Sequence, residues 1–144
     1  VSGSANLEMN SGIGMTLGED GHGTFSVTGS AIEKIALRGH LTLLNSNVPG
    51  RACSSTLKYT FDENGIYAPY GLRAVTNTPG TKVVVDFGTC ANPRGTYPLL
   101  KFESWDGPDP ELVIEGKDPG NVSLVRTEKQ LAVKVRKGLI FVVR

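Results

Sequence analysis

The stretch "GEDGHG" sets Glu19, Asp20 and His22 among three glycines. Two carboxylates and an imidazole on so free a backbone have the donor types that bind a cation. Their spacing, however, is neither that of an EF-hand loop nor that of the nonapeptide calcium repeat. The stretch therefore reads as a solvated turn between "GMTL" and "TFSV". His40 stands alone before a strand-like run and reads as structural. Together with His22, Cys53 and Cys90 it offers no close pair of the kind a zinc site uses. No metal and no cofactor is expected.

A second stretch, "ESWDGPDPE", gathers Glu103, Asp106, Asp109 and Glu111 around Trp105, the one tryptophan. An indole stacks on a sugar ring, and carboxylates grip its hydroxyls. Trp105, Asp106, Asp109 and Glu111 are thus the candidate ligand site, with a polysaccharide as ligand. Hydrolysis would further need two carboxylates facing each other across a defined gap, which sequence alone does not supply. The competing reading is a proline-set loop whose tryptophan covers the end of the core. The nucleophile elbow, the phosphate loop and H-E-x-x-H are all missing, so the chain is not expected to be an enzyme. "NVS" at Asn121 is a formal glycosylation acceptor.

Cys53 and Cys90 lie in the turn-rich stretches "PGRACSS" and "GTCANPRG". The two suggest one disulfide stapling two loops, worth roughly 4 kcal/mol through the unfolded chain. Two unpaired thiols in a reducing compartment are the alternative.

These residues must be positioned by something, and the composition points to strands. The 144 residues are 39% hydrophobic and 20% charged, with 18 glycines and 8 prolines. That is one globular domain built of short elements and tight turns. The longest uncharged apolar run, "GLIFVV", falls far short of the ~20 residues of a membrane helix. No signal peptide precedes Val1, which suggests a matured product or an excerpt. Residues 1–30 carry three acids (Glu8, Glu19, Asp20) and no Lys or Arg, whereas residues 117–144 carry seven basic groups against Asp118 and Glu128. The basic end alternates with apolar residues, as on the wet face of a hairpin, and lacks a stacking platform. Nucleic acid is not an expected partner.

Helix signals are nearly absent; only "SAIEKIALRG" reads as a short helix or a strand. In residues 1–50 short alternations recur between Gly, Asn and Asp: "NLEMN", "GMTLG", "TFSVTG", "KIALRG", "HLTLLN". "SGSANLE" and "TGSAIE" echo one another. Such spacing predicts a short β-helix, or solenoid, of strands joined by glycine-permitted bends. From residue 57 to 144 the strands lengthen into "LKYTF", "YGLRAVTN", "TKVVVDF", "YPLLKFES", "ELVIEG", "NVSLVRT" and "LAVKV", which read as a meandering antiparallel sheet. An antiparallel β-sandwich is the alternative.

"LKYTFDENGI", "TKVVVDFG", "GTYPLLKFES" and "NVSLVRTEKQLAVKV" resemble the closing unit of bacterial secreted β-helical surface proteins, the autotransporter-passenger-like repeat proteins. The resemblance covers about residues 57–135 and rests on loose patterns of strand and turn. It implies secretion, a right-handed β-helix or its capping sheet, and display at the cell surface. It brings no catalytic residues, and the two cysteines depart from it.

The chain closes on "GLIFVVR", an unguarded apolar strand that is a template for pairing. Leu139, Phe141 and Val143 are the candidate self-association residues. With an acidic first end and a basic last end, the expectation is an extracellular structural protein that associates head-to-tail into a filament or layer. A carbohydrate-binding module or adhesin is the alternative. The rival account of the last strand is that it pairs within its own domain, guarded by its lysines and arginines.

Overall fold

The computed structural model describes residues 6–9, 14–19, 21–29, 34–37, 39–67 and 71–136. Among them there are strands and no helix, so the chain is all-β. The strands are β1 (Asn6–Met9), β2 (Gly14–Leu17), β3 (His22–Thr28), β4 (Lys34–Leu37), β5 (His40–Leu43) and β6 (Ser54–Thr60). They continue with β7 (Gly71–Asn77), β8 (Lys82–Asp86), β9 (Gly95–Asp106), β10 (Glu111–Glu115), β11 (Val122–Arg126) and β12 (Gln130–Val135). The segment that reads as helix or strand is β4 over its described part. Leu139, Phe141 and Val143 lie outside the described residues.

Pairing follows a fixed rule up to β10. One sheet runs β3–β6–β8–β10, and every neighbouring pair in it is parallel. A second runs β2–β5–β7–β9, again all parallel, and then adds β12 and β11 antiparallel beyond β9. β1 and β4 form a parallel pair of their own. The expected antiparallel meander from residue 57 onward is therefore confined to β9, β12 and β11, and the antiparallel sandwich is not formed. Alternation of apolar and polar residues is the same in parallel and antiparallel strands, so the pattern does not contain the distinction. The β3–β6 and β5–β7 pairings also cross the change in strand length between residues 50 and 57.

Parallel register places like upon like. Phe25, Leu57, Val83 and Leu112 are successive partners along one sheet, and Val27, Tyr59, Val85 and Ile114 along the same sheet two residues on. Leu57, Tyr59, Val83 and Val85 are fully buried. From the other sheet Leu41, Leu43, Leu72, Val75 and Phe102 join the same core. Phe61 bridges Phe87 and Tyr97 at ring distances of 4.7 and 4.8 Å. The β11–β12 hairpin adds buried Leu131, Val133 and Val135, and half-buried Val122 and Leu124 pack on the same cluster.

Each of β2, β5, β7 and β9 leads through a corner into a strand of the first sheet, and the corners are joined by a chain of polar side chains. The Asn45 amide donates to Thr81 Oγ1 (2.7 Å) and Thr78 Oγ1 (3.1 Å), and its oxygen accepts the Ser55 N–H (2.8 Å). Thr81 donates to Asn77 Oδ1 (2.5 Å), and Asn77 donates to the Pro108 carbonyl (2.8 Å). Toward the other end, Ser55 Oγ lies 2.7 Å from the Leu44 carbonyl and 3.0 Å from that of Leu17. Ser55, Asn77 and Thr81 are buried. The corners approach so closely that a Cβ on Gly107, at φ +110°, would lie 2.0 Å from the Asn77 carbonyl oxygen. One on Gly18, at φ +84°, would lie 2.5 Å from that of Leu44.

The expected disulfide is not formed; both cysteines are free. Topology explains why. Cys53 immediately precedes β6, while Cys90 follows the far end of β8, the parallel neighbour of β6. A strand of seven residues separates the two ends by roughly 20 Å, and a bridge needs Cα atoms within about 7 Å.

Two outcomes follow from this packing. Asn45→Ala strands the buried Ser55 N–H and removes a donor from the Thr78 and Thr81 hydroxyls; a buried group left unpaired costs about 1–3 kcal/mol, and a urea melt should show a fall of about that size. Tyr59 is fully buried, its hydroxyl 3.3 Å from the Leu99 carbonyl, and burial pushes its pKa far above the usual tyrosine range. The folded state therefore holds a proton that the unfolded state gives up. The stability this contributes is complete below about pH 10, the unfolded tyrosine value, and falls as the pH rises above it. Tyr59→Phe should flatten the alkaline limb of a Tm-versus-pH curve.

Candidate functional site

The tryptophan loop is built by the end of β9 and the turn into β10. Trp105 is half-buried, lies 5.2 Å from the Phe102 ring, and points its indole N–H back at the loop. That N–H donates to the carbonyls of Gly107 (3.1 Å) and Pro108 (3.2 Å). The guanidinium of Arg126, at the end of β11, sits 5.4 Å from the ring centroid and pairs with Asp109. A cation over the ring at this distance is attracted by its quadrupole. Trp105 and Asp109 are thus brought together, through an arginine that nothing in the sequence pattern connects to them. Among the described residues, the carboxylates of Asp106 and Glu111 make no hydrogen bond or ion pair, and both side chains are exposed. Arg126 thus lies over one face of the ring, and the indole N–H is engaged by its own loop.

Of the other chemically suggestive residues, His22 makes an internal contact. His22 Nδ1 lies 2.7 Å from Ser54 Oγ, at the start of the β3–β6 pair. Glu19 is exposed in the turn before it, and Asp20 lies outside the described residues. Among the described residues no three acids, histidines or cysteines gather as metal ligands. An open groove of about 530 Å3 runs beside Asn45, Cys53, Ser54 and Gly80. Both amide hydrogens of Asn45 are engaged within the protein, and its oxygen accepts the Ser55 N–H. Cys90 lines a smaller cleft of about 230 Å3 with Phe87 and Lys117.

Backbone groups at the sheet edges remain. The Gly29 N–H donates to the Thr60 carbonyl (2.7 Å), and the Ser54 N–H donates to that of Gly21 (2.9 Å). These two bonds fix the parity of β3: its odd-numbered residues turn their amide groups toward β6, and His22, Thr24 and Thr28 turn theirs away. Among the described residues no strand lies on that side of β3. At the opposite edge the Glu111 N–H donates to the Thr81 carbonyl (2.9 Å), so Leu112 and Ile114 turn their amides outward. The two edges are differently defended. β10 is five residues long with a glutamate at each end, and Pro108 and Pro110 precede it. β3 is seven residues long and holds no Lys, Arg, Asp, Glu or Pro. Sheet proteins ordinarily blunt a free edge with such residues, and β3 lacks them. The signal is present in "HGTFSVT", although the apolar chain end is the more conspicuous candidate for pairing.

No protein-family model, characterised protein or solved structure matches this chain.

Arg126→Ala should uncover the ring of Trp105. Because this is the one tryptophan, emission should shift to the red, and stability should fall by about 0.5–1 kcal/mol, the range of an exposed cation–π contact.

Proposed function

We propose that the chain is a structural β-solenoid module that works by self-association outside the cell rather than by binding a ligand or catalysing a reaction. Each large sheet takes strands in chain order, one from each pass of the chain, all parallel as far as β9 and β10. Successive coils of a solenoid have this order. The polar side chains that join one corner to the next, Ser55, Asn45, Thr81 and Asn77, fit the same reading. Placement outside the cell is supported by the likeness to secreted surface repeats. With both thiols free, a disulfide no longer supports it.

The observation that carries self-association is β3. Among the described residues no strand pairs with it on the side away from β6, and it holds no Lys, Arg, Asp, Glu or Pro; the outward amides of His22 and Thr24 at such a rim suit the addition of a strand. In the head-to-tail filament drawn from the charge gradient, β3 of one copy would stack on the far rim of the next. There β12 occupies the outer edge of β9, so β10 alone remains to receive it.

The test is the mass of the purified chain by light scattering across a concentration series, in reducing buffer. A mass above one chain that rises with concentration is expected. Backbone pairing along an uncharged edge should persist in 1 M salt, where exposed charges are screened within about 3 Å. A single-chain mass at every concentration would remove the reading.

A further inference from the structure

From the residues of β11 we infer that two copies join at the end of the six-stranded sheet as a two-fold pair, β11 against β11, antiparallel and centred on Leu124. This rests on the self-association proposed above and gives it a second contact. The Thr127 N–H donates to the Gln130 carbonyl (2.8 Å) and the Arg136 N–H to that of Asn121 (3.1 Å). Odd-numbered residues of β11 therefore carry the ladder with β12, while Val122 and Leu124 turn their backbone groups to the opposite side. Among the described residues no strand lies there and no hydrogen bond takes those groups up. The strand, "VSLVR", holds no Lys, Asp, Glu or Pro, and its one charge, Arg126, is paired with Asp109. Val122 and Leu124 are only half-buried on the core, and Val125 is left exposed. Sheet proteins ordinarily blunt an edge of this kind.

A second copy of the same strand matches it. About Leu124 the sequence is close to self-complementary: Leu124 meets Leu124, Ser123 meets Val125, and Val122 meets Arg126, so no like charges are opposed. Even residues meet even residues, as the outward groups of Val122 and Leu124 require for hydrogen-bonded antiparallel pairs. The pairing gives half-buried Leu124 an apolar neighbour and covers Val125. A centre one residue to either side leaves each strand overhanging the other. The other rims match themselves less well. β10 on β10 would set Glu111 of each copy opposite Glu115 of the other, and like charges so placed destabilise a strand pair. β3 is already engaged at Ser26, in mid-strand. An isologous contact closes on itself, whereas a head-to-tail one propagates. Pairing through β11 thus ties two head-to-tail rows side by side.

The test uses the full chain in reducing buffer at low salt. Pyrene attached at Ser123→Cys, with Cys53 and Cys90 replaced by serine, should give excimer emission that grows with concentration, because a two-fold contact at β11 brings residue 123 beside its own copy. Ser123→Lys with Val125→Lys, and Ser123→Glu with Val125→Glu, each place like charges opposite one another across the contact. Each double should weaken association about tenfold while leaving the far-UV spectrum unchanged. An equal mixture of the two should restore it. Association by light scattering without excimer, or charged doubles that associate like the unaltered chain, overturns the β11 contact and leaves self-association standing. A single-chain mass at every concentration overturns both.

Discussion

Where β2, β5, β7 and β9 turn into β3, β6, β8 and β10, neighbouring corners lie close together, and several of their polar groups are buried. Those corner carbonyls and amides must find partners inside the protein or cost several kcal/mol in total. Here Ser55, Asn45, Thr78, Thr81 and Asn77 provide them, each corner satisfying the next from Leu17 to Pro108. The contact is close enough that Gly18 and Gly107 are fixed by their neighbours' carbonyls and by their own positive φ. The register is set at this seam. Shift one strand by a residue and Asn45 loses both threonines, while Leu57 and Tyr59 turn to solvent together.

With the register fixed, the core follows from it. Phe25, Leu57, Val83 and Leu112 fall on one line and Val27, Tyr59, Val85 and Ile114 on another, because parallel pairing repeats the same face at every level. Such a core has no natural end, so each end needs a separate device. Beyond β9 the chain reverses. β12 pairs antiparallel with it, and Val122, Leu124, Leu131 and Val133 pack on the last exposed layer. The cation–π contact of Arg126 with Trp105, and the pairing of Arg126 with Asp109, tie that hairpin to the final corner. Trp105 and Asp109 thus both contact Arg126 of that hairpin.

Much of this is legible in the residues themselves. The period of two in "TFSV", "LKYTF" and "KVVV" identifies strands and their inward residues, and the Gly and Pro clusters identify the turns between them. What the pattern does not hold is the partner of each strand. Parallel and antiparallel neighbours impose the same alternation, so the lengthening of strands after residue 57 suggests a change of architecture, whereas the parallel order continues through it. The same ambiguity lies behind the expected disulfide. Cys53 and Cys90 sit in similar turn-rich surroundings, but one precedes its strand and the other follows, and in parallel neighbours those are opposite ends. The polar seam is hidden differently. "LNSN" and "TNTPGT" look like ordinary turn-formers, and their role depends on stacking over one another.

The distribution of unused binding capacity then bears on function. The Asn45 amide hydrogens are engaged in the wall of its groove, the Trp105 N–H bonds its own loop, and His22 is paired with Ser54. Each of these three side chains thus makes a contact within the protein. The amides of His22, Thr24 and Thr28 point away from the sheet along a strand with no charge to discourage a visitor. A backbone edge offers directional hydrogen bonds but selects its partner only through shape and register, and its best-matched partner is another strand of the same pitch and face. The self-association we propose draws on that backbone edge rather than on a side-chain site.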